Sequence, residues 1–197
     1  MKFFRLPETD EEKRRVPPKQ RIAKGFPILT DGESQTLSSE EWKLKIWTSD
    51  QSHIWDYEQL LEFESEHFTA DFHCVTHWSK LDVTWTGVRV LKLLEKFELR
   101  PIEKFAMVHC YGGYTTNLRL EDLLKPSSFL AYELNQKALP AERGGPVRLV
   151  VPHLYAWKSA KWISGIEILD QEQLGYWEQN GYHRRGDPWQ QERYSHP

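Results

Sequence analysis

The chain has 197 residues, 28% of them charged, and a formal net charge of −3 at pH 7. A balance so close to neutral gives no global basic field, so nucleic acid is not an expected partner and any anion site must be local. The length suits one well-buried domain, and no apolar run approaches the roughly 20 residues that a membrane helix needs.

Residues 1–24 are rich in charge and carry Pro17 and Pro18, so they read as an extended arm ahead of a domain over 25–197. In EWKLKIWTS, Trp42, Leu44 and Ile46 alternate with polar residues, the period of a half-buried strand. Asp56 is placed to cap a short helix, DYEQLLEFE, whose apolar side is Leu60, Leu61 and Phe63. HFTADFHCV reads as a second strand with Ala70, Phe72 and Cys74 on one face. After WTG, Val90, Leu91, Leu94 and Phe97 fall at helical spacing, with Pro101 as the stop. KFAMVHCY is a further strand, GGY a turn, LEDLL a turn or two of helix, SFLAYEL a strand and NQKALP a turn. Beyond it, two apolar strand-like runs flank a basic, aromatic loop in RGGPVRLVVPHLYAWKSAKWISGIEIL. The closing LGYWEQNGYHRRGDPWQQERY is too aromatic for a solvated tail and is expected to wrap back over the domain. Strands and short helices without a βαβ rhythm predict an α+β domain rather than a doubly wound sheet.

Two cysteines give no disulfide framework, and the N-terminus shows neither an apolar core nor a small-residue cleavage site. A reducing, cytoplasmic location follows as the expectation, and it disfavours a Cys74–Cys110 bridge. Cys74 lies in DFHCVTHWSKLDVTW between His73 and His77. Most free cysteines are small buried apolar side chains. A zinc site would recruit His73, His77 and Cys110, but His73 and Cys74 point to opposite faces of a strand and no paired ligand spacing is present. A nucleophilic cysteine would need a positioned histidine, for which no spacing is diagnostic.

The second constellation is residues 143–162, where Arg143, Arg148, Lys158 and Lys161 fall among apolar and aromatic residues. Cations drawn into partial burial need an anionic partner, and arginine forks suit phosphate. Gly144 and Gly145 would let backbone approach a ligand closely. The plainer alternative is a set of exposed charges between buried strand residues.

The motifs HCVTHWSKLDVTWTGV, CYGGYTTNL, RGGPVRLVVPHLYAWKSAKWI and GYWEQNGYHRRGDPWQQERY, in this order, resemble the oxidoreductase molybdopterin-binding domain of the sulfite oxidase superfamily, its short bacterial members above all. The likeness runs from about Gly25 to Tyr194. It implies an α+β fold of mixed sheets and short helices, and a molybdenum held by the dithiolene of molybdopterin and by one protein thiolate, matched here by Cys74. A soft thiolate suits a redox-active transition metal, which keeps it deprotonated. The same resemblance assigns the cofactor contacts to Arg148 first, then to Arg143, Ser159, Ala160 and Lys161, and more loosely to Cys110, Lys24 and Phe26. Where many relatives place an arginine shortly after the cysteine, this chain has His77, which puts a strongly anionic substrate in doubt or makes its binding pH-dependent.

The implied function is two-electron oxygen-atom transfer on a small substrate, with His77 and Asp82 as candidates for orienting it or moving protons. Asp82 reads equally as a turn residue. Trp78, Trp85 and Trp157 either frame the entrance or belong to the core. The chain has no CxxCH haem motif and no room for an added haem domain, so a separate electron-transfer partner is expected. The alternatives are a non-catalytic carrier of the cofactor and a cofactor-free interaction module.

Overall fold

The alternation in EWKLKIWTS produces a strand that buries Leu44 and Ile46 and leaves Lys43 and Lys45 to solvent. The computed structural model describes residues 3–30, 32–100 and 102–195, so Pro101, the expected helix stop, lies outside them. In chain order the elements are β1 (Phe4–Arg5), α1 (Asp10–Arg15), β2 (Arg21–Ala23), β3 (Lys43–Trp47), β4 (Ser52–Asp56), α2 (Tyr57–Leu61), β5 (Glu66–Cys74), β6 (Trp78–Arg89) and α3 (Val90–Leu94). They continue with β7 (Phe105–Cys110), β8 (Thr115–Arg119), α4 (Leu120–Leu123), β9 (Phe129–Leu134), β10 (Lys137–Ala138), β11 (Arg148–Val150), β12 (Ile163–Leu169) and α5 (Tyr176–Gln179).

Two mixed sheets and short helices make this an α+β fold. β6 organises the larger sheet: β5 runs antiparallel along one edge, while β2 (parallel) and β9 (antiparallel) share the other. β11 extends it beyond β9. The smaller sheet has the order β4-β3-β12-β7-β8. One core joins the two sheets, with Leu44, Ile46, Val108 and Ile166 from the smaller and Val88, Leu130 and Leu149 from the larger. A second cluster, around Trp85, Phe129 and Tyr155, holds Cys74.

The segment expected as an extended arm carries α1 and contributes β1 and β2 to the larger sheet. Thr9 and Glu12 form a capping box, acids fill the first turn and bases the last, and Arg15 pairs with Glu11 one turn back. Those local interactions outweigh Pro17 and Pro18, which only bound the helix. Asp56 caps α2 as expected, through a second capping box with Gln59.

The β5–β6 hairpin positions the site. Cys74 pairs with Trp78 across a three-residue turn, with a His77 N–H to Cys74 carbonyl bond of 3.2 Å. Such a loop needs a left-handed residue at its end, and His77 fills it with φ 67°. Further along, Ala70 pairs with Val83 but Phe72 with Lys80, so β6 bulges at Leu81–Asp82. The chain beyond β12 wraps back as expected: Arg193 donates to the Val75 carbonyl, and Tyr182 stacks on Trp177 at 4.8 Å.

Candidate active site

Cys74 ends β5, 7% exposed, at the wall of a cavity of about 420 Å³. The turn around it is pinned at two carbonyls: Gln20 Nε2 donates to Cys74 O at 2.9 Å, and Arg193 Nη1 to Val75 O at 2.5 Å. Thr76 Oγ1 donates to the Cys74 sulfur at 3.2 Å. Burial pushes the Cys74 thiol up, opposed by the Thr76 hydrogen bonds and the Arg193 charge.

The opposite wall is cationic. Arg148, 3% exposed on β11, donates to the carbonyls of Arg143 (2.9 Å) and Ser159 (2.6 Å) and lies 5.5 Å from the ring centres of Phe72 and Trp85. Arg143 bonds the carbonyls of Phe26 and Pro27 and sits over the Phe26 ring. Lys161 Nζ bonds Leu29 O (2.9 Å), Thr30 Oγ1 (2.7 Å) and Glu142 O (2.9 Å). Among the described residues, none of the three has a carboxylate within ion-pair distance. Burial pulls Arg148 down to about 9, and burial together with the Arg148 and Arg143 charges pulls Lys161 down to about 7.

Cys74, Phe26, Arg143, Arg148, Ser159, Ala160 and Lys161 therefore converge on one cavity, with Trp78 and Trp157. Ser159 serves partly as scaffold, its hydroxyl accepting from the Val151 N–H. Other expected residues stand elsewhere. His77 is exposed and its Nδ1 meets the Lys19 carbonyl at 3.1 Å, because the turn needs it there. Asp82 sits in the β6 bulge, bound by Arg15, which also grips Asp71. Lys24 is exposed beside Phe4 and Leu6 rather than in the cavity. Cys110 is buried in the joint core, where burial lifts its thiol to about 12. Both cysteines are free. Trp85 is a core residue, fully buried.

Two readings of the basic segment need correction. Lys158 is fully buried but spent: its ammonium lies 2.7 Å from Glu178 Oε1 and also bonds the Asn117 and Arg184 carbonyls. Gly144 and Gly145 approach protein rather than ligand: a Cβ at Gly145 would lie 2.0 Å from Leu139 O, and one at Gly144 2.9 Å from Lys161 Cβ. Sequence reasoning missed Gln20, Thr76 and Arg193. Only Thr76, two residues from the cysteine, had a local signal. A larger depression of about 870 Å³ lies elsewhere, but its Arg119, Arg184 and Arg185 are each paired with a carboxylate.

The family model described as "Oxidoreductase molybdopterin binding domain" matches residues 31–177. The chain belongs to this family. It is thus an oxidoreductase domain of the sulfite oxidase superfamily. The molybdopterin-binding domain is 39% identical to the uncharacterized oxidoreductase YuiH of Bacillus subtilis (strain 168), over 98% of both chains. It is 28% identical to the protein-methionine-sulfoxide reductase catalytic subunit MsrP of Campylobacter jejuni, over 74% of this chain and 54% of that one, and so spans about half its length. The crystal structure of the sulfane dehydrogenase SoxCD from Paracoccus pantotrophus shares the fold, with a TM-score of 0.63 and 21% identity over 80% of this chain and 44% of that one. The donor set fits the family's cofactor: a thiol opens into the cavity, and a buried guanidinium bonded only to carbonyls faces it.

Proposed function

We propose that this domain carries out two-electron oxygen-atom transfer on a small substrate, using molybdenum-molybdopterin held at Cys74 in the manner of sulfite oxidases. The observation that carries this reading is a buried thiol and three cations lining a single cavity, none of the three with a carboxylate partner among the described residues. When bound, the cofactor supplies the oxygen-atom and electron exchange. Cys74 would hold the metal as a thiolate, and Arg148, Arg143 and Lys161 would take the phosphate and the polar ring edges, replacing backbone carbonyls as acceptors. Residues 26–30 close one side of the cavity and would exclude water there.

The surroundings of Cys74 favour a neutral sulfur compound over a sulfite anion. Val75, Trp78 and Trp157 are buried with it, and Trp177 and Tyr182 pack against them. His77, the substitute for an arginine in many relatives, stands outside the cavity. The substrate in the MsrP name is of that neutral class. Electrons would pass to or from a separate protein, in the cytoplasm if the two free cysteines reflect a reducing compartment.

The test is elemental and pterin analysis of protein from a host that makes molybdopterin, beside Cys74→Ser. About one molybdenum per wild-type chain is expected from a single thiolate site, with the metal lost from the variant. Metal-free wild type from a host with ample cofactor would sink the reading. Methionine sulfoxide reduction exceeding sulfite oxidation is the expected outcome of the substrate screen.

A further inference from the structure

Among the described residues, the Cys74 sulfur has one side-chain hydrogen-bond donor, and it comes from a residue that lines the cavity. Thr76 is exposed and lines the cavity, and its Oγ1 donates to Cys74 Sγ at 3.2 Å. The geometry is held from three directions. The His77 N–H closes the turn onto Cys74 O, Gln20 holds the same carbonyl, and Arg193 holds Val75 O. A β-branched side chain at Thr76 adds stiffness about χ1. Arg193 brings positive charge from behind the turn, but its hydrogen bond goes to the Val75 carbonyl rather than to sulfur. Beside the backbone N–H groups of Val75 and Thr76, the Thr76 hydroxyl is thus the side-chain group placed to act on the sulfur itself.

A hydrogen bond to a coordinating thiolate withdraws electron density from the sulfur and weakens its donation to the metal. The reduced state is then favoured, which is how hydrogen bonding around a cysteine ligand tunes metal potentials. We propose that Thr76 is a positioning residue that raises the reduction potential of the metal at Cys74 by donating its hydroxyl to the ligand sulfur. This rests on Cys74 being the metal ligand. The side chain touches neither metal nor substrate in this role, and its effect passes through Cys74.

The experiment uses holoprotein from a host that makes molybdopterin, as wild type, Thr76→Val, Thr76→Ala and Thr76→Ser. Metal and pterin contents are measured first. A potentiometric titration followed by electron paramagnetic resonance then gives the midpoint potentials. Expected are wild-type metal content in all three variants, a lower potential in the Val and Ala variants, and a wild-type potential in Ser, which keeps the donor. Equal potentials in wild type, Val and Ala at full metal content would overturn the proposal. So would a Ser variant shifted like Val, because Ser keeps the hydroxyl and the potential would then not follow the donor. If Val and Ala lose the metal while Ser retains it, the hydroxyl secures binding rather than setting the potential, and the proposal again fails. A wild type without metal is a different result, since it removes the ligand reading of Cys74 on which the proposal stands.

Discussion

Two groups of buried cations lie within the same twenty residues and are handled in opposite ways. Lys158 is sealed with Glu178, whose Oε1 also accepts from Trp157 Nε1 and Thr116. Arg148, ten residues earlier and just as buried, donates only to carbonyls and opens onto the cavity. A buried charge costs free energy unless it is paired. Lys158 has its counter-ion within the chain, whereas Arg148, Arg143 and Lys161 have none among the described residues, the place that the proposed cofactor's phosphate would take. Burial alone does not mark a binding cation; burial without a carboxylate does.

The contrast is sharpest in stability. Lys158→Met leaves the Glu178 carboxylate buried and unpaired, and is expected to cost about 3–5 kcal/mol in urea unfolding. Lys158→Met combined with Glu178→Gln recovers most of it. Arg148→Met should behave in reverse: apo stability changes by only about 1 kcal/mol, because the carbonyls of Arg143, Ser159 and Leu149 lose their donor but an unpaired charge is removed. Cofactor retention in the same variant falls by the equivalent of about 2–5 kcal/mol, read as pterin remaining after dialysis. If apo stability fell as far as in Lys158→Met, the two groups would not differ in kind.

A smaller effect is a dependence on pH. Lys161 holds its proton only to about 7 in the folded chain, against an ordinary value of 10.5. Between those values the unfolded chain carries the proton and the folded one does not, so apo stability rises with pH from about 7 toward 10.5. Below 7 the charge sits against Arg148 and Arg143, relieved only in part by Glu142. Lys161→Met should remove this slope, measured as the shift in urea midpoint between pH 7 and pH 9.5. Lys158 is pulled down by its burial as well, with Glu178 opposing, so the difference between wild type and variant isolates Lys161.

The smallest effects belong to the two polar residues that the sequence placed in catalysis. Asp82→Ala breaks a surface bridge and should cost under about 1 kcal/mol, with turnover unchanged. His77→Gly suits the left-handed turn position and should leave metal content and turnover unaltered. A large loss of turnover in either variant, with the metal retained, would return that residue to the reaction.

Much of the fold was legible, because half-buried strands carry their alternation openly. Leu44 and Ile46 in β3 announced themselves in this way, while β7 and β9 showed as short apolar runs bounded by turn residues. β6 did not: with Trp85 and Thr86 both buried and Asp82 bulged out, its period is broken. α1 was hidden by Pro17 and Pro18, although Thr9 and Glu12 spelled its capping box. Cys74, Arg143, Arg148 and the 159–161 run, singled out from residue type and resemblance, do line one cavity. His77 and Asp82 were singled out because titratable side chains near a cysteine look chemical, and the structure places them outside the cavity at left-handed turn and bulge positions. Gln20 and Arg193 were invisible, since each reaches the Cys74 turn from more than fifty residues away.

That reach has a consequence for biogenesis. The hydrogen bond from Arg143 to Phe26 spans 117 positions, and the one from Arg193 to Val75 spans 118. Contacts so distant in sequence close late on a folding pathway, after the local hairpins have formed. The cavity's walls are therefore brought together only when segments from both ends of the chain have docked, Phe26 against Arg143 and Arg193 against Val75.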